Sequence, residues 1–358
     1  MLLNGSEAVQ IAGAGPAGLA AAITLARAGR NVIVHEARRE VGHRFRRDLQ
    51  GLENWTSAQD VIAELEQLGL STAFDRVPCS RGSVYDPEGR AYVIQTLAPL
   101  FYLIERGPRA GSLDTALLAQ ALALGVTVRF NSRAERLEAP AVLATGPNVT
   151  DAIAVGYHFD TAMPDGFWAI CDDALAPQGY AYLLVMHGKG TVKSCMFSDF
   201  KNKRVYIERT VEAFRRKPGL DMRNARPHGG VANFRIPASA CAHDRLAVGE
   251  QAGFQDALWG FGMRLAIRSG VLAARALLEG KDYDALWARE LSPWLRTSVV
   301  NRAFYSMLGN RGYPEFLRRA TAADSREFLG RHYSPSRLKR IFEPWARVRY
   351  RRMAQAAI

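Results

Sequence analysis

The chain predicts an α/β protein in which a Rossmann-type nucleotide-binding domain carries an inserted antiparallel-sheet domain and is followed by a helical C-terminal region. Three observations predict it. A glycine turn, Gly13-Ala14-Gly15-Pro16-Ala17-Gly18, stands between a strand-like and a helix-like segment. Residues 151–237 break into short strand-like runs separated by turn residues. Beyond Gly280 the pattern becomes helical and strongly cationic.

The first unit runs strand, helix, strand. Ala8-Val9-Gln10-Ile11-Ala12 has the apolar character of a short buried strand, and Leu19, Ala22, Ile23 and Ala26 then recur at helical spacing until Gly29. Asn31-Val32-Ile33-Val34-His35-Glu36 reads as the second strand. Gly13 permits the tight turn, Gly15 lets the backbone approach a pyrophosphate, and Gly18 lets the helix pack closely on the strand. Ala17 belongs to the same first helical turn, whose free N–H groups meet a phosphate, and Pro16 suits a position where a missing donor costs little. Glu36, eighteen residues after Gly18, places a carboxylate where it accepts hydrogen bonds from an adenosine ribose. The motif alone does not separate FAD from NAD.

Composition narrows the other classes. With 358 residues and 48% hydrophobic content the chain buries a large core, and one to three domains are expected. No secretory pattern opens the sequence and no run of about 18 apolar residues occurs, so a cytoplasmic protein without a transmembrane helix is expected. Cys79, Cys171, Cys195 and Cys241 form no CxxC pair, and the seven histidines show no HxxxH or HxH spacing, so no metal site is assigned. No Gly-x-Ser-x-Gly elbow supports a serine nucleophile. The formal charge of +12 favours an anionic partner. Much of it is local: Arg331 to Met353 holds eight Lys or Arg against one acid, Glu343.

Three further segments resemble, in order, the flavoprotein superfamily of geranylgeranyl reductases, FixC-like dehydrogenases and aromatic-ring hydroxylases. The resemblance covers roughly residues 8–280. Ile104-Glu105-Arg106-Gly107 with Ser112-Leu113-Asp114 is similar to the family's Arg-then-Asp stretch, and makes Arg106 a candidate FAD contact. Ala141-Val142-Leu143-Ala144-Thr145-Gly146 is similar to the strand and turn that close the FAD domain. Arg245-Leu246-Ala247-Val248-Gly249-Glu250-Gln251-Ala252-Gly253, then Trp259-Gly260-Phe261-Gly262 and a helix from Met263, resembles the Gly-Asp strand-to-helix segment. In that family the acid binds the ribityl chain and the helix start faces the pyrimidine end of the flavin, where its dipole stabilises negative charge. Here Glu250 replaces the usual Asp.

The resemblance implies FAD as cofactor and adds Arg106, Gly249, Glu250, Gly260, Gly262 and Met263 to the residues expected to hold it, beside Gly13, Gly15, Ala17, Gly18 and Glu36 of the glycine motif and the nearby Arg38 and Arg44. Residues 1–75, 95–150 and 238–280 are expected to form a discontinuous FAD-binding domain. Residues 76–94 and 151–237 would form the substrate-binding sheet, and 281–358 a basic helical region. Tyr180 and Tyr182, on one strand face by the two-residue period, and Trp259 and Phe261 are the substrate-pocket candidates; core packing is the other reading of the tyrosines. Gly188-Lys189-Gly190 superficially suggests a phosphate loop but reads as a hairpin. Arg44, Arg46 and Arg47 either contact an anion or form a solvated basic loop, and Gln50 to Trp55 reads as a structured loop without the family's Cys-Gly pair. Asp256 either binds a ligand or caps the turn from Ala257.

Leu338, Ile341, Phe342 and Trp345 recur at helical spacing opposite Lys339, Arg340 and Arg347, and Pro344 is expected to kink or end that helix. The helix either packs on the body of the protein or lies on an anionic membrane. Nucleic acid lacks a recognisable module here. The leading expectation is hydride transfer at flavin N5 to or from a carbon–carbon bond of an apolar, isoprenoid or lipid, substrate, with no catalytic acid assigned. A flavin monooxygenase is the alternative, although Gly146-Pro147-Asn148 replaces its Asp-Gly fingerprint. A non-catalytic flavin-binding protein is the third reading. Without a second complete Rossmann unit, the electron donor is either an acidic protein drawn by the basic surface or NAD(P)H.

Overall fold

The computed structural model describes residues 8–134, 137, 138 and 140–356, with side chains in the last helix as far as Arg349. The glycine-rich unit forms as the sequence predicts: strand Val9–Ala12, helix Pro16–Arg27 and strand Val32–His35, with Val9 opposite Val32 in parallel register. Thr127–Arg129 extends the sheet beyond Val32–His35, while Ala141–Leu143 and Arg245–Ala247 extend it on the other side, all parallel. Short Cys241–Ala242 closes that edge in antiparallel register. Because the chain builds outward from Val9–Ala12 in both directions, a crevice opens at the carboxyl end of that strand, where such sheets take ligands. Ile11, Val34 and Val142 are fully buried, as strands covered on both faces require. Gly270 of helix Met263–Glu279 lies so close to helix Pro16–Arg27 that a Cβ there would sit 2.1 Å from the Ala17 carbonyl oxygen.

Asp48–Glu53 is a strand, not the loop expected from Gln50 to Trp55, and pairs antiparallel with Phe101–Arg106, which also pairs with Arg76–Cys79. Gln50-Gly51 interrupts the apolar alternation that would have announced it. The glycine is needed there, since a Cβ would come within 2.3 Å of the Phe261 ring.

A seven-stranded sheet lies over the cleft. Its order is Arg223–Ala232, Ala152–Asp160, Lys189–Met196, Tyr180–Met186, Gly166–Ile170, Arg81–Tyr85 and Ala91–Gln95. Neighbours are antiparallel except Gly166–Ile170 with Arg81–Tyr85. The Gly188 segment is a hairpin, with Met186 opposite Lys189 and positive φ at His187 and Gly188, the turn conformation that matches strand twist. Helix Lys203–Arg216, which the strand reading did not anticipate, covers the outer face through Ile207, Val211 and Phe214 against Leu183, Val185 and Val192. Their three- and four-residue spacing was the available signal.

Four helices follow: Tyr283–Glu290, Ser292–Ala320 with a break at Gly309, Ser325–Tyr333 and Arg337–Ala356. Pro344 does not end the last of them. Its missing donor frees the Arg340 carbonyl, and both residues are exposed, so water can take the place of the lost bond. Cys79, Cys171 and Cys195 are buried free thiols and Cys241 is a half-buried one. Among the described residues no helix is long and apolar enough to cross a membrane.

Candidate functional site

One cavity of about 980 Å³ runs from the glycine turn, under the seven-stranded sheet, to the helical layer. Every residue expected to hold the cofactor lines it except Gly18 and Gly249, which act one layer behind. A Cβ on Gly18 would lie 2.0 Å from the Gly13 carbonyl oxygen, so Gly18 sets the turn's compactness. Gly249 donates its N–H to Ser269 Oγ at 2.8 Å and, at φ +59, turns the chain so that Glu250 faces the cleft.

At one end, Glu36 accepts the Ala14 N–H at 3.0 Å and the Arg38 N–H at 2.9 Å, which fixes its carboxylate beside the turn. Gly15 caps helix Pro16–Arg27 without a side-chain acceptor, so the N–H groups of the first turn are left to a ligand. Helix Met263–Glu279 likewise begins at Gly262 with no side-chain cap. Two uncapped helix starts thus face a single cleft.

Between them stand two arginines. Arg106 is buried, not solvated: Nε and Nη2 grip Asp114 at 2.8 and 2.9 Å, and its guanidinium lies 4.6 Å over the Phe45 ring. Arg44 covers the same ring at 4.9 Å and reaches within 3.8 Å of Glu250. Arg46 and Arg47 are instead occupied by Glu40 and Asp160. Burial pushes the Glu250 carboxyl up to about 7 against the opposing pull of Arg44 and Arg106. Glu250 therefore holds its proton when folded and loses it when unfolded between about pH 4.5 and 7, so the native state binds more protons there and stability falls as pH rises. The melting temperature of the apoprotein should drop across that window, and Glu250→Gln should flatten the drop; an unchanged slope would refute the assignment.

At the far end the wall is aromatic. Tyr180 and Tyr182 share a face, 5.8 Å between rings, and Tyr180 donates to the Trp259 carbonyl. Both tyrosines line the cavity and pack in the core behind it, so the two readings of the sequence coincide. Phe261 packs on Trp55 at 4.7 Å. Among the described residues the buried indole N–H groups of Trp55 and Trp259 find no partner, nor does Gln255 Oε1, and all three residues line the cavity. Such orphaned polar atoms suit a polar heterocycle. Asp256 caps the turn, accepting from Leu258 and Trp259 N–H at 3.1 and 2.8 Å, and also from the Tyr333 hydroxyl at 2.8 Å. Burial raises its carboxyl to about 6.

Sequence reasoning missed a buried charge cluster in the cavity wall. Lys193 Nζ lies 2.6 Å from Asp48 Oδ1, which also receives His158 Nε2 at 3.0 Å. His158 stacks on His228, 4.1 Å between rings. Gln50 links Asp48 Oδ2 at 2.8 Å to Arg106 at 3.3 Å. Burial by itself would raise the Asp48 carboxyl, but the Lys193 charge and the His158 hydrogen bond hold it far below the usual range. Asp48, His158 and His228 gather their ligand atoms within 4.8 Å, yet the Lys193 ammonium already sits on the carboxylate. No spacing rule could find this group, because its members come from four strands.

Fold and cleft together define a protein with a Rossmann-like dinucleotide-binding unit. The NAD(P)-binding Rossmann-like domain family matches residues 11–53. The chain is 23% identical over 360 residues to a digeranylgeranylglycerophospholipid reductase of Haloferax volcanii, covering 86% of this chain and 88% of that one. A geranylgeranyl bacteriochlorophyll reductase-like structure from Thermoplasma acidophilum shares the fold at TM-score 0.69 and 17% identity, over 97% of this chain and 99% of that one. A flavin-dependent brominase does so at TM-score 0.65 and 15% identity, over 96% and 99%. The chain is thus similar in sequence to a lipid reductase, and it shares its fold with a geranylgeranyl reductase-like protein and a flavin-dependent brominase.

Proposed function

We propose that this flavoenzyme reduces carbon–carbon double bonds of an apolar substrate of isoprenoid or lipid type. The observation that carries the reading is continuity: the cofactor cleft and an apolar chamber are one cavity, whose far wall includes Phe101, Phe167, Leu184, Phe316 and Leu329. Bound FAD supplies two-electron hydride chemistry. The two uncapped helix starts, Arg44 and Arg106 orient its anionic groups, and Glu36 and Glu250 take its ribose and ribityl hydroxyls. Tyr180, Tyr182 and Trp259 exclude water from the reacting end. Lys193 Nζ is a proton-bearing atom on the cavity wall, fixed by Asp48.

The relationship to an archaeal lipid reductase points the same way. Dithionite-reduced holoenzyme, kept anaerobic, should be reoxidised by unsaturated isoprenoid lipid, with the product heavier by two hydrogens. Failure with every unsaturated lipid, together with oxygen incorporation into a small aromatic, would replace this reading with a monooxygenase. For the electron donor we propose a small acidic protein, matched to the +12 charge. Efficient reduction by NADPH alone would overturn that choice.

A further inference from the structure

The last helix carries a surface that the cofactor cleft does not use. Leu338, Ile341, Phe342, Trp345 and Val348 are all exposed, Leu338 and Ile341 at 67% and 70%. At 100° per residue these five positions fall within about 120° of the helix circumference, a continuous apolar stripe. It is extended by Phe304 and Met307 of helix Ser292–Ala320, also exposed, with Phe304 5.4 Å from both Phe342 and Trp345 between ring centroids. Soluble proteins rarely leave such a set together on one face without a partner.

The opposite face explains why the stripe points outward. Ala346 and Glu343 are buried, Ala346 beside Val299, Val300 and Ala303, and Glu343 pairs with Arg296 and Arg347. The helix is thus docked on the body through one side and exposes the other. At the same 100° per residue Arg337 borders the Val348 edge of the stripe, about 20° beyond it, and Arg340 stands about 80° beyond that edge, within reach of its long side chain; both are exposed and have no ion pair among the described residues.

We propose that this two-helix face docks the protein on an anionic membrane surface, with Leu338, Ile341, Phe342, Trp345 and Val348 entering the headgroup boundary and Arg337 and Arg340 meeting lipid phosphates. Charge decides between occupants. A second copy packed stripe to stripe would bring Arg337 and Arg340 against their own copies in a chain of net charge +12, whereas an anionic bilayer satisfies both the apolar and the cationic parts. Segment Ser292–Ala320 contributes Phe304 and Met307 to the docking face before its break at Gly309, and Phe316 and Leu317 to the cavity wall after it. The surface itself stands without the substrate proposal, since vesicle binding needs no turnover.

The test uses full-length holoprotein sedimented with vesicles of phosphatidylcholine alone or mixed with phosphatidylglycerol. Wild type should bind the mixed vesicles, bind phosphatidylcholine weakly, and release as salt is raised. The pair Leu338→Asp/Ile341→Asp should lose at least about tenfold in binding, and Arg337→Glu/Arg340→Glu about tenfold or more, with melting temperature and flavin spectrum unchanged. Leu338 and Ile341 are the most exposed of the stripe, so folding should survive their replacement. No binding to mixed vesicles, or binding untouched by Leu338→Asp/Ile341→Asp, would overturn the proposal. So would concentration-dependent self-association that the same pair abolishes in the absence of vesicle binding, which would assign the face to a second copy.

Discussion

Gly15→Val should yield a protein that folds normally and is colourless. Gly15 has φ −80 and ψ 176, an ordinary extended backbone, and a Cβ added there meets nothing within 4 Å. The branched side chain costs the polypeptide little and projects into the cleft where the pyrophosphate must approach the helix start. FAD affinity should fall on the order of a hundredfold, the loss of nearly 3 kcal/mol of contacts, while the apoprotein melts as wild type does. Gly13→Ala is the complementary variant. Its φ is +100 and its Cβ would stand 2.3 Å from the Ala144 carbonyl oxygen, so the turn itself must move. That change should reduce both affinity and apoprotein stability. Flavin titration beside thermal melting separates the two; full colour in Gly15→Val would show that the cradle lies elsewhere.

Lys193→Met should cost about 3–5 kcal/mol of stability, because it leaves the carboxylate of Asp48 buried without its ammonium. The double variant Asp48→Asn/Lys193→Met should recover much of that loss, since two neutral groups replace a broken pair. The acid limb gives a second readout. Asp48 titrates far below its unfolded range, so its stabilisation is complete above about pH 4 and is lost as pH falls through the folded value. The stability gap between wild type and Asp48→Asn should therefore narrow in strong acid. Equal stability of wild type and Lys193→Met at neutral pH would sink this account. Urea denaturation of the four proteins, in apo and FAD-loaded form, makes the measurement.

What was legible in the sequence follows from how local its cause is. The turn from Gly13 to Gly18, Glu36 and the helix from Met263 are set by neighbours within a few residues, and the structure brings them to one cleft. Glu250 was visible as a family-like position and Arg44 as an anion contact or a solvated loop residue, but their 3.8 Å approach is a product of the fold. Asp48, His158, Lys193 and His228 could not be read at all. They are up to 180 residues apart, and Lys193 lies just beyond a Gly-Lys-Gly hairpin that imitates a phosphate loop. Strand Asp48–Glu53 was hidden by Gln50-Gly51, because packing beneath Phe261 there outweighs propensity. Arg106 was read as a candidate cofactor contact, but its bidentate grip by Asp114, eight residues on, is seen only once the chain folds.

The ion pair between Asp48 and Lys193 joins strands that belong to different sheets, one under the cleft and one over it. Lifting the ceiling at that edge would expose both charges together with the stacked imidazoles, so the ceiling is latched there. The opposite flank, where Phe316 and Leu329 of the C-terminal helices line the cavity, carries no such charged latch among the described residues.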